Sequence, residues 1–220
     1  MKFNKAYSTY DDHAIIQKIV ATNLIKLITN ENYYSVLELG CGTGIFTEKL
    51  YKNIKFKHLD LNDIFNVSDY IKKFPYRNLI LGDMNDLILD KYSLIVSSSS
   101  FQWIENFPRL IKKLSHSSKK IVFSMYISGN LKEIKEHFGI ELDYLSTKEI
   151  KKILKKYFII KEAKEEEFVL EFVSPLDLLK HLKYTGVTGV GSSSFSKVKT
   201  FSSKKLTYKV AYFSCENLIS

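Results

Sequence analysis

Apolar positions along the chain fall into short runs, separated by stretches in which apolar residues recur every three to four positions. SVLELG (35–40), KFKHLD (55–60), NLILG (78–82), SLIVSSS (93–99) and KKIVFSMY (119–126) have the length of strands. Between them, TGIFTEKLY (43–51), FNVSDYIKKF (65–74) and FPRLIKKL (107–114) carry helical spacing, the second closed by Pro75. Strands alternating with helices predict right-handed crossovers and an α/β fold, a parallel sheet with helices on both faces.

The last third reads differently. Ser146 and Glu149 have the spacing of a capping box and open an amphipathic helix to about Tyr157. FIIKEAKEEEFVLEF (158–172) predicts a strand, with its charged middle as the place for a break. Ser174 and Pro175 are an N-cap and first helical residue, predicting a helix to about Tyr184. The Ser/Gly/Lys stretch 185–205 predicts a loop, and LTYKVAYFS (206–214) a final strand.

Composition narrows the class. With 220 residues, 45% of them apolar, the chain can bury one substantial core. No apolar run approaches the roughly 18 residues of a membrane span, and MKFNKAYSTYDDHA has no leader-like apolar centre, so no membrane segment is expected. Cys41 and Cys215 make neither a disulfide framework nor a metal cluster, which points to a reducing cytoplasm. The net charge of +9 comes almost wholly from lysine, since Arg77 and Arg109 are the only arginines. Such a balance fits an acidic partner, and equally a drift toward Lys, Asn, Ile, Tyr and Phe. Scarce arginine counts against a dedicated nucleic-acid surface.

The chemistry concentrates in LELGCGTG (37–44). A strand, a glycine turn and a helix bring backbone N–H groups to one point beyond the carboxyl end of a sheet. The spacing fits neither nucleotide fingerprint tested. A dinucleotide G-x-G-x-x-G would need glycine at Ile45 or Thr47, and no Gly-Lys-Ser/Thr is present. Glu38, Gly40, Gly42 and Gly44 instead spell E-x-G-x-G-x-G, which resembles the first motif of class I S-adenosylmethionine-dependent methyltransferases. Asp60-Leu61 closes the second predicted strand, where an acid can accept hydrogen bonds from a ribose diol, and Asp83-Met84 follows the third. In the resembled fold the latter pair sits at the adenine.

Further stretches resemble the malonyl-[acyl-carrier protein] O-methyltransferases of biotin synthesis, over nearly the whole chain. They are FNKAYSTYDDHAIIQ with Phe3, Ala6, Tyr10, His13, Ala14 and Gln17, the Gln102-Trp103 pair, LDLLKHLKYTGVTGV, and the closing LTYKVAYF. The resemblance implies a Rossmann-like class I methyltransferase fold, a mostly parallel seven-stranded sheet with an N-terminal helical lid, in a single domain over 1–220. Residues 1–30 would form the lid and its helix, 35–126 the cofactor-binding half, 127–205 the substrate-side helices and loop, and 206–214 the last strand. It implies S-adenosylmethionine as cofactor, held by Tyr10, Glu38, Gly40, Cys41, Gly42, Gly44, Asp60, Leu61, Asp83, Met84, Ser97 and Ser98. Tyr7, Gln102, Trp103, Arg109 and Tyr126 are the candidate substrate liners. Tyr10, Trp103 and Arg109 are the positioning candidates. The chain departs from the family's D-L-I-x-S-N, having Ser93 and Ser98 where that pattern has Asp and Asn.

A malonyl carboxylate is ionised at pH 7 and is itself the nucleophile, so methylation calls for positioning rather than a general base. No Ser/His/Asp or Cys/His constellation is evident, and Cys41 reads as a packing residue. The implied partner is an acidic acyl-carrier protein bearing the malonyl thioester, or malonyl-coenzyme A, met by an enzyme expected to be a monomer, with neither nucleic acid nor membrane involved. Competing readings are a methyltransferase of RNA or DNA, one of another small molecule, and a binding-only relic. The base-modifying N/D-P-P-Y/F motif is missing at SSSSF, which weakens the first.

Overall fold

The computed structural model describes residues 11–29, 31–140, 143–185 and 195–218, with Phe195 and Ser196 described in backbone only. The proposed lid residues Phe3, Tyr7 and Tyr10 lie outside the described residues.

Seven strands form one sheet in the order β3-β2-β1-β4-β5-β7-β6. They are β1 (Asn32–Leu39), β2 (Lys55–Asp63), β3 (Asn78–Leu81), β4 (Leu94–Ser98), β5 (Lys120–Tyr126), β6 (Phe158–Glu171) and β7 (Lys205–Asn217). The first five pair in parallel, while β7 runs antiparallel to β5 and to β6. The order reverses between β1 and β4, the switch point at which open α/β sheets bind ligands.

Helices cover both faces. One apolar core joins α1 (Ile15–Leu24) and α2 (Ile45–Asn53) to β1, β2 and β7. The other lies beneath α4 (Phe107–Ser117) and α6 (Thr147–Leu154), through Leu110, Ile111, Leu114, Ile150 and Leu154. The alternating strand and helix spacing of the sequence therefore reads out as a three-layer architecture. The capping box at Ser146 and Glu149 is present in both directions, and Ser174 caps α7 (Pro175–Tyr184) by accepting from the Asp177 N–H.

Four expectations need correction. The helix over 65–74 shrinks to the single turn α3 (Ser68–Ile71), because the Asn66 side chain accepts from Ser68 N and opens a local turn, and Pro75 disfavours helix just before it. The 185–205 loop contains α8 (Phe195–Thr200). Strand β6 is continuous through its charged middle, with one register shift between Ile160 and Glu162, because residues 162–171 pair one for one with β7 and cross-strand ion pairs such as Glu167–Lys209 accommodate the charge. A short helix, α5 (Lys132–Phe138), follows β5, within the stretch 127–205 where helices were expected. The fourth, the extra length of β2, changes the site.

Candidate active site

The glycine turn joins β1 to α2 and forms the floor of a cavity of about 190 Å³. Gly40 and Cys41 donate their N–H groups to Asn62 O, both at 2.9 Å, so the turn is stitched to the end of β2. Gly40 has φ +71°, and a Cβ there would stand 2.3 Å from Ser100 Oγ, which donates to Gly40 O. No other residue fits between these two segments. Gly44 serves packing rather than the cavity: it caps α2 at φ +87°, with the Phe74 ring 2.7 Å from where a Cβ would sit. Gly42 faces open space, where a Cβ would meet nothing within 4 Å.

Strand β2 runs three residues beyond the Asp60 at which its apolar pattern was expected to end. Asp63, not Asp60, stands at the carboxyl edge. Its carboxylate accepts from Gly42 N at 2.9 Å and from Phe65 N at 3.0 Å, and it lines the cavity. Asp60 is turned away and fully engaged: Arg77 grips it with two nitrogens, and Asn78 Nδ2 and Tyr92 Oη also donate to it. Leu61 is buried in the core. Neither residue of the Asp60-Leu61 pair lines the cavity. The neighbouring Asn62 is buried too; its amide donates to Ile80 O and Gly82 O, while its Oδ1, at the cavity wall, has no partner.

Asp83 and Met84 line the cavity as expected from their place after β3, and Ile64, Phe65 and Ile45 add apolar wall. Beyond β4 the chain turns sharply. Ser99 takes φ 54° and donates its N–H to Ser124 O, a left-handed conformation that costs a non-glycine residue about 1–3 kcal/mol and gathers at ligand sites. Phe101 is buried against Phe107 and Phe123, which fixes the short turn Phe101–Trp103. Trp103 and Ile104 are thereby presented to the cavity.

The remaining expected residues divide. Ser98 and Cys41 line the cavity. Ser97 does not; it is buried and donates to Leu39 O, tying β4 to β1. Gln102 donates to Ser99 O and braces the turn from behind. Arg109 sits on the solvent face of α4, 3.6 Å from Asp86, and Tyr126 is buried beside Tyr208; neither reaches the cavity lining. Two residues that were not among the predicted site residues close the side toward the N-terminus. Gln17 of α1 lines the cavity, and Thr43 donates to Asp11 at 2.6 Å. Gln17 belongs to the family-like stretch of the N-terminus and is a polar residue on the apolar face of α1, and Thr43 lies within the glycine motif itself.

Electrostatically the cavity is one-sided. Glu38, Asp63 and Asp83 line it, and no Lys, Arg or His does among the described residues. Burial lifts the Glu38 carboxyl to about 8, against the hydrogen bond from Thr47 Oγ1 at 2.7 Å, and nearby Asp63 adds to the rise. Burial also raises Asp63, although Phe65 and Gly42 N–H groups oppose it. The Cys41 thiol is pushed up by burial and by the same acids, which disqualifies it as a thiolate nucleophile.

The raised Glu38 fixes a pH response. The folded protein holds a proton that the unfolded chain releases near the ordinary value, so this stabilisation is complete below about pH 4.5 and is lost as pH rises toward about 8. Urea unfolding of the ligand-free protein should therefore show its Glu38-linked stability falling between pH 5 and 8, and Glu38→Gln should flatten that slope. An identical slope in the variant would place the proton elsewhere.

Comparison with known proteins meets this geometry. A methyltransferase-domain family model matches residues 10–157. A malonyl-[acyl-carrier protein] O-methyltransferase of Calditerrivibrio nitroreducens is 34% identical over 96% of this chain and 93% of its own. One from Bacteroides thetaiotaomicron is 34% identical over 88% and 78%. Among solved structures, the N-methyltransferase NodS of Bradyrhizobium japonicum, in complex with S-adenosyl-L-homocysteine, superposes with a TM-score of 0.58 at 15% identity, over 90% of this chain and 85% of that one. At that identity the likeness concerns the fold. A glycine turn at the switch point, an acid at each of three successive strand ends and identity across almost the full length agree: the chain belongs to the methyltransferase-domain family and, within it, to the malonyl-[acyl-carrier protein] O-methyltransferases.

Proposed function

We propose that the protein methylates the free carboxylate of a malonyl thioester, carried on an acyl-carrier protein, with S-adenosylmethionine as methyl donor. The observation that carries the cofactor half is the cavity's charge: three carboxyl groups and no lining cation among the described residues. A phosphate-bearing nucleotide would be repelled there, whereas a ligand with an ammonium, a sulfonium and a diol is matched by it. The residues fit that group. Glu38 and the open face at Gly42 suit its amino-acid end, Asp63 has acceptors for a diol, and Ile64 and Met84 offer apolar surface to a flat base, with Asp83 beside them. Bound there, S-adenosylmethionine supplies a methyl group on a positively charged sulfur, open to displacement by a carboxylate oxygen.

The rest falls to the chain's own side chains. Ser98, Ser99, Trp103 and Ile104 form the wall after β4 and limit water at the reacting end. The substrate carboxylate is ionised at neutral pH, so no residue has to remove a proton. Tyr10 is proposed to close over the site; its neighbour Asp11 is already tied to Thr43 on the glycine turn. The substrate half rests on the full-length similarity to the two relatives named above. An acidic carrier would approach along α6, where Lys148, Lys151, Lys152 and Lys155 form no ion pair among the described residues.

The test is methyl transfer from labelled S-adenosylmethionine to malonyl-carrier protein, malonyl-coenzyme A and bulk tRNA in parallel. Base-labile label on the malonyl thioester is the expected result, with the carrier-linked rate falling about tenfold from 50 to 300 mM salt as steering is screened. Label on tRNA alone would overturn the substrate, and a flat salt response would remove the lysine surface from carrier docking.

A further inference from the structure

We propose that Lys113 is a positioning residue for the base-side wall of the cavity, acting through the turn that carries Asp83 and Met84. Lys113 lies on α4, on the far side of that turn from the cavity, and does not line it. Its ammonium donates to three backbone carbonyls at once: Met84 O at 3.2 Å, Asn85 O, and Leu87 O at 2.8 Å. An ammonium has three donors, and here all three are spent on one turn of chain.

The turn needs such a partner. Asp83 accepts on its side chain from Asn85 N at 2.8 Å and on its carbonyl from Asp86 N at 2.9 Å, which winds residues 83–87 into a single helix-like turn. One turn of helix leaves its later carbonyls without N–H partners and pointing one way, where a cation is favoured. The segment that follows is held to the core through Leu89, while Ile88 just before it is 98% exposed, so the turn's carbonyls are not themselves covered by apolar packing. Lys113 forms no ion pair among the described residues, so it is not there to neutralise an acid. Burial pulls its pKa below the ordinary lysine value, as expected of an ammonium taken from water into a ring of carbonyls.

The same helix reaches the other end of the cavity. Four residues before α4 begins stands Trp103, on the wall after β4. One turn before Lys113, Arg109 approaches Asp86 at 3.6 Å. Helix α4 thus sets the distance between the Asp83-Met84 wall and the Trp103 wall, with Lys113 as the clamp. Arg109, expected from the sequence to face substrate, belongs to this bracing set.

The proposal rests on the reading of the cavity as an S-adenosylmethionine site, and the experiment separates the two. Lys113→Met keeps the apolar stem and removes the donors; Lys113→Gln is a second variant should the first not fold. Both are measured for S-adenosylmethionine Kd by calorimetry, for KM and kcat, and for amide hydrogen exchange in the ligand-free protein. The expected result is a Kd raised about tenfold, KM for the cofactor raised with it, kcat at saturating cofactor nearly unchanged, and faster exchange at Asp86 and Leu87 with Tm preserved. Wild-type Kd together with wild-type exchange at those amides would overturn the clamp. Failure of the wild-type protein itself to bind S-adenosylmethionine would overturn the cavity reading, and the exchange comparison would still decide the role of Lys113.

Discussion

Asp63→Ala is expected to weaken S-adenosylmethionine binding about 100-fold, while Asp60→Asn leaves the affinity within about twofold. The two acids are three residues apart on one strand and have opposite duties. Asp63 lines the cavity, and its carboxylate already organises the turn by accepting from Gly42 N and Phe65 N. A carboxylate accepting from a ligand diol contributes roughly 1.5–3 kcal/mol per hydrogen bond, and two such bonds exceed the 2.7 kcal/mol that a 100-fold change represents. Removing the side chain also leaves the Gly42 N–H without its acceptor, so the floor under the ligand loosens as well. Asp60 contributes nothing to the cavity wall, since its oxygens are taken by Arg77, Asn78 and Tyr92. Calorimetric titration of both variants decides the matter. An Asp60→Asn protein that folds and binds poorly, beside an Asp63→Ala protein that binds well, would return the ribose acid to the position the apolar pattern first suggested.

That exchange of roles shows where sequence pattern stops. The centre of the sheet was legible because β1, β4 and β5 are largely buried on both faces, and a buried parallel strand has few other ways to read. The glycine turn was legible because Gly40 leaves no room for a Cβ against Ser100. The end of β2 was not. Asn62 and Asp63 look like loop residues, yet Asn62 is buried because its amide reaches the carbonyls of Ile80 and Gly82 across the sheet. Only the neighbouring strand makes that position affordable, and no local pattern contains the neighbouring strand. Arg109 and Tyr126 failed as cavity liners for a related reason. Periodicity places a residue on a face, but which face looks into the cavity depends on how α4 and β5 sit in the layers. Lys113 carried no signal at all, because its partners are backbone carbonyls that any sequence would provide.

Arg77→Met is expected to cost about 2–3 kcal/mol of stability at pH 7.5 and less as the pH falls toward 4. Asp60 is 1% exposed, and burial by itself would raise its pKa; hydrogen bonds from Arg77, then Tyr92, and the Arg77 charge outweigh that and hold the carboxyl below the ordinary value. A carboxyl with a depressed folded-state pKa contributes stability that is present above the unfolded value, near 3.8, and is lost as pH falls through the folded value. Removing Arg77 strands a buried carboxylate with two neutral donors, the circumstance in which breaking one side of an ion pair is expensive. The guanidinium is itself 41% exposed, so the figure sits below the roughly 3–5 kcal/mol of fully buried pairs. In the variant, burial is no longer opposed by the cation, the carboxyl takes up a proton at mildly acidic pH, and the penalty fades. Urea unfolding at pH 4 and 7.5 should therefore give wild type and Arg77→Met curves that lie closer together at pH 4 than at pH 7.5. This slope is opposite in sign to that of Glu38, whose proton is held rather than repelled, so the two acids can be told apart in one pH series. Curves equally separated at both pH values would mean that Arg77 acts through its apolar stem, and a loss of cofactor affinity without loss of stability would place Asp60 at the ligand after all.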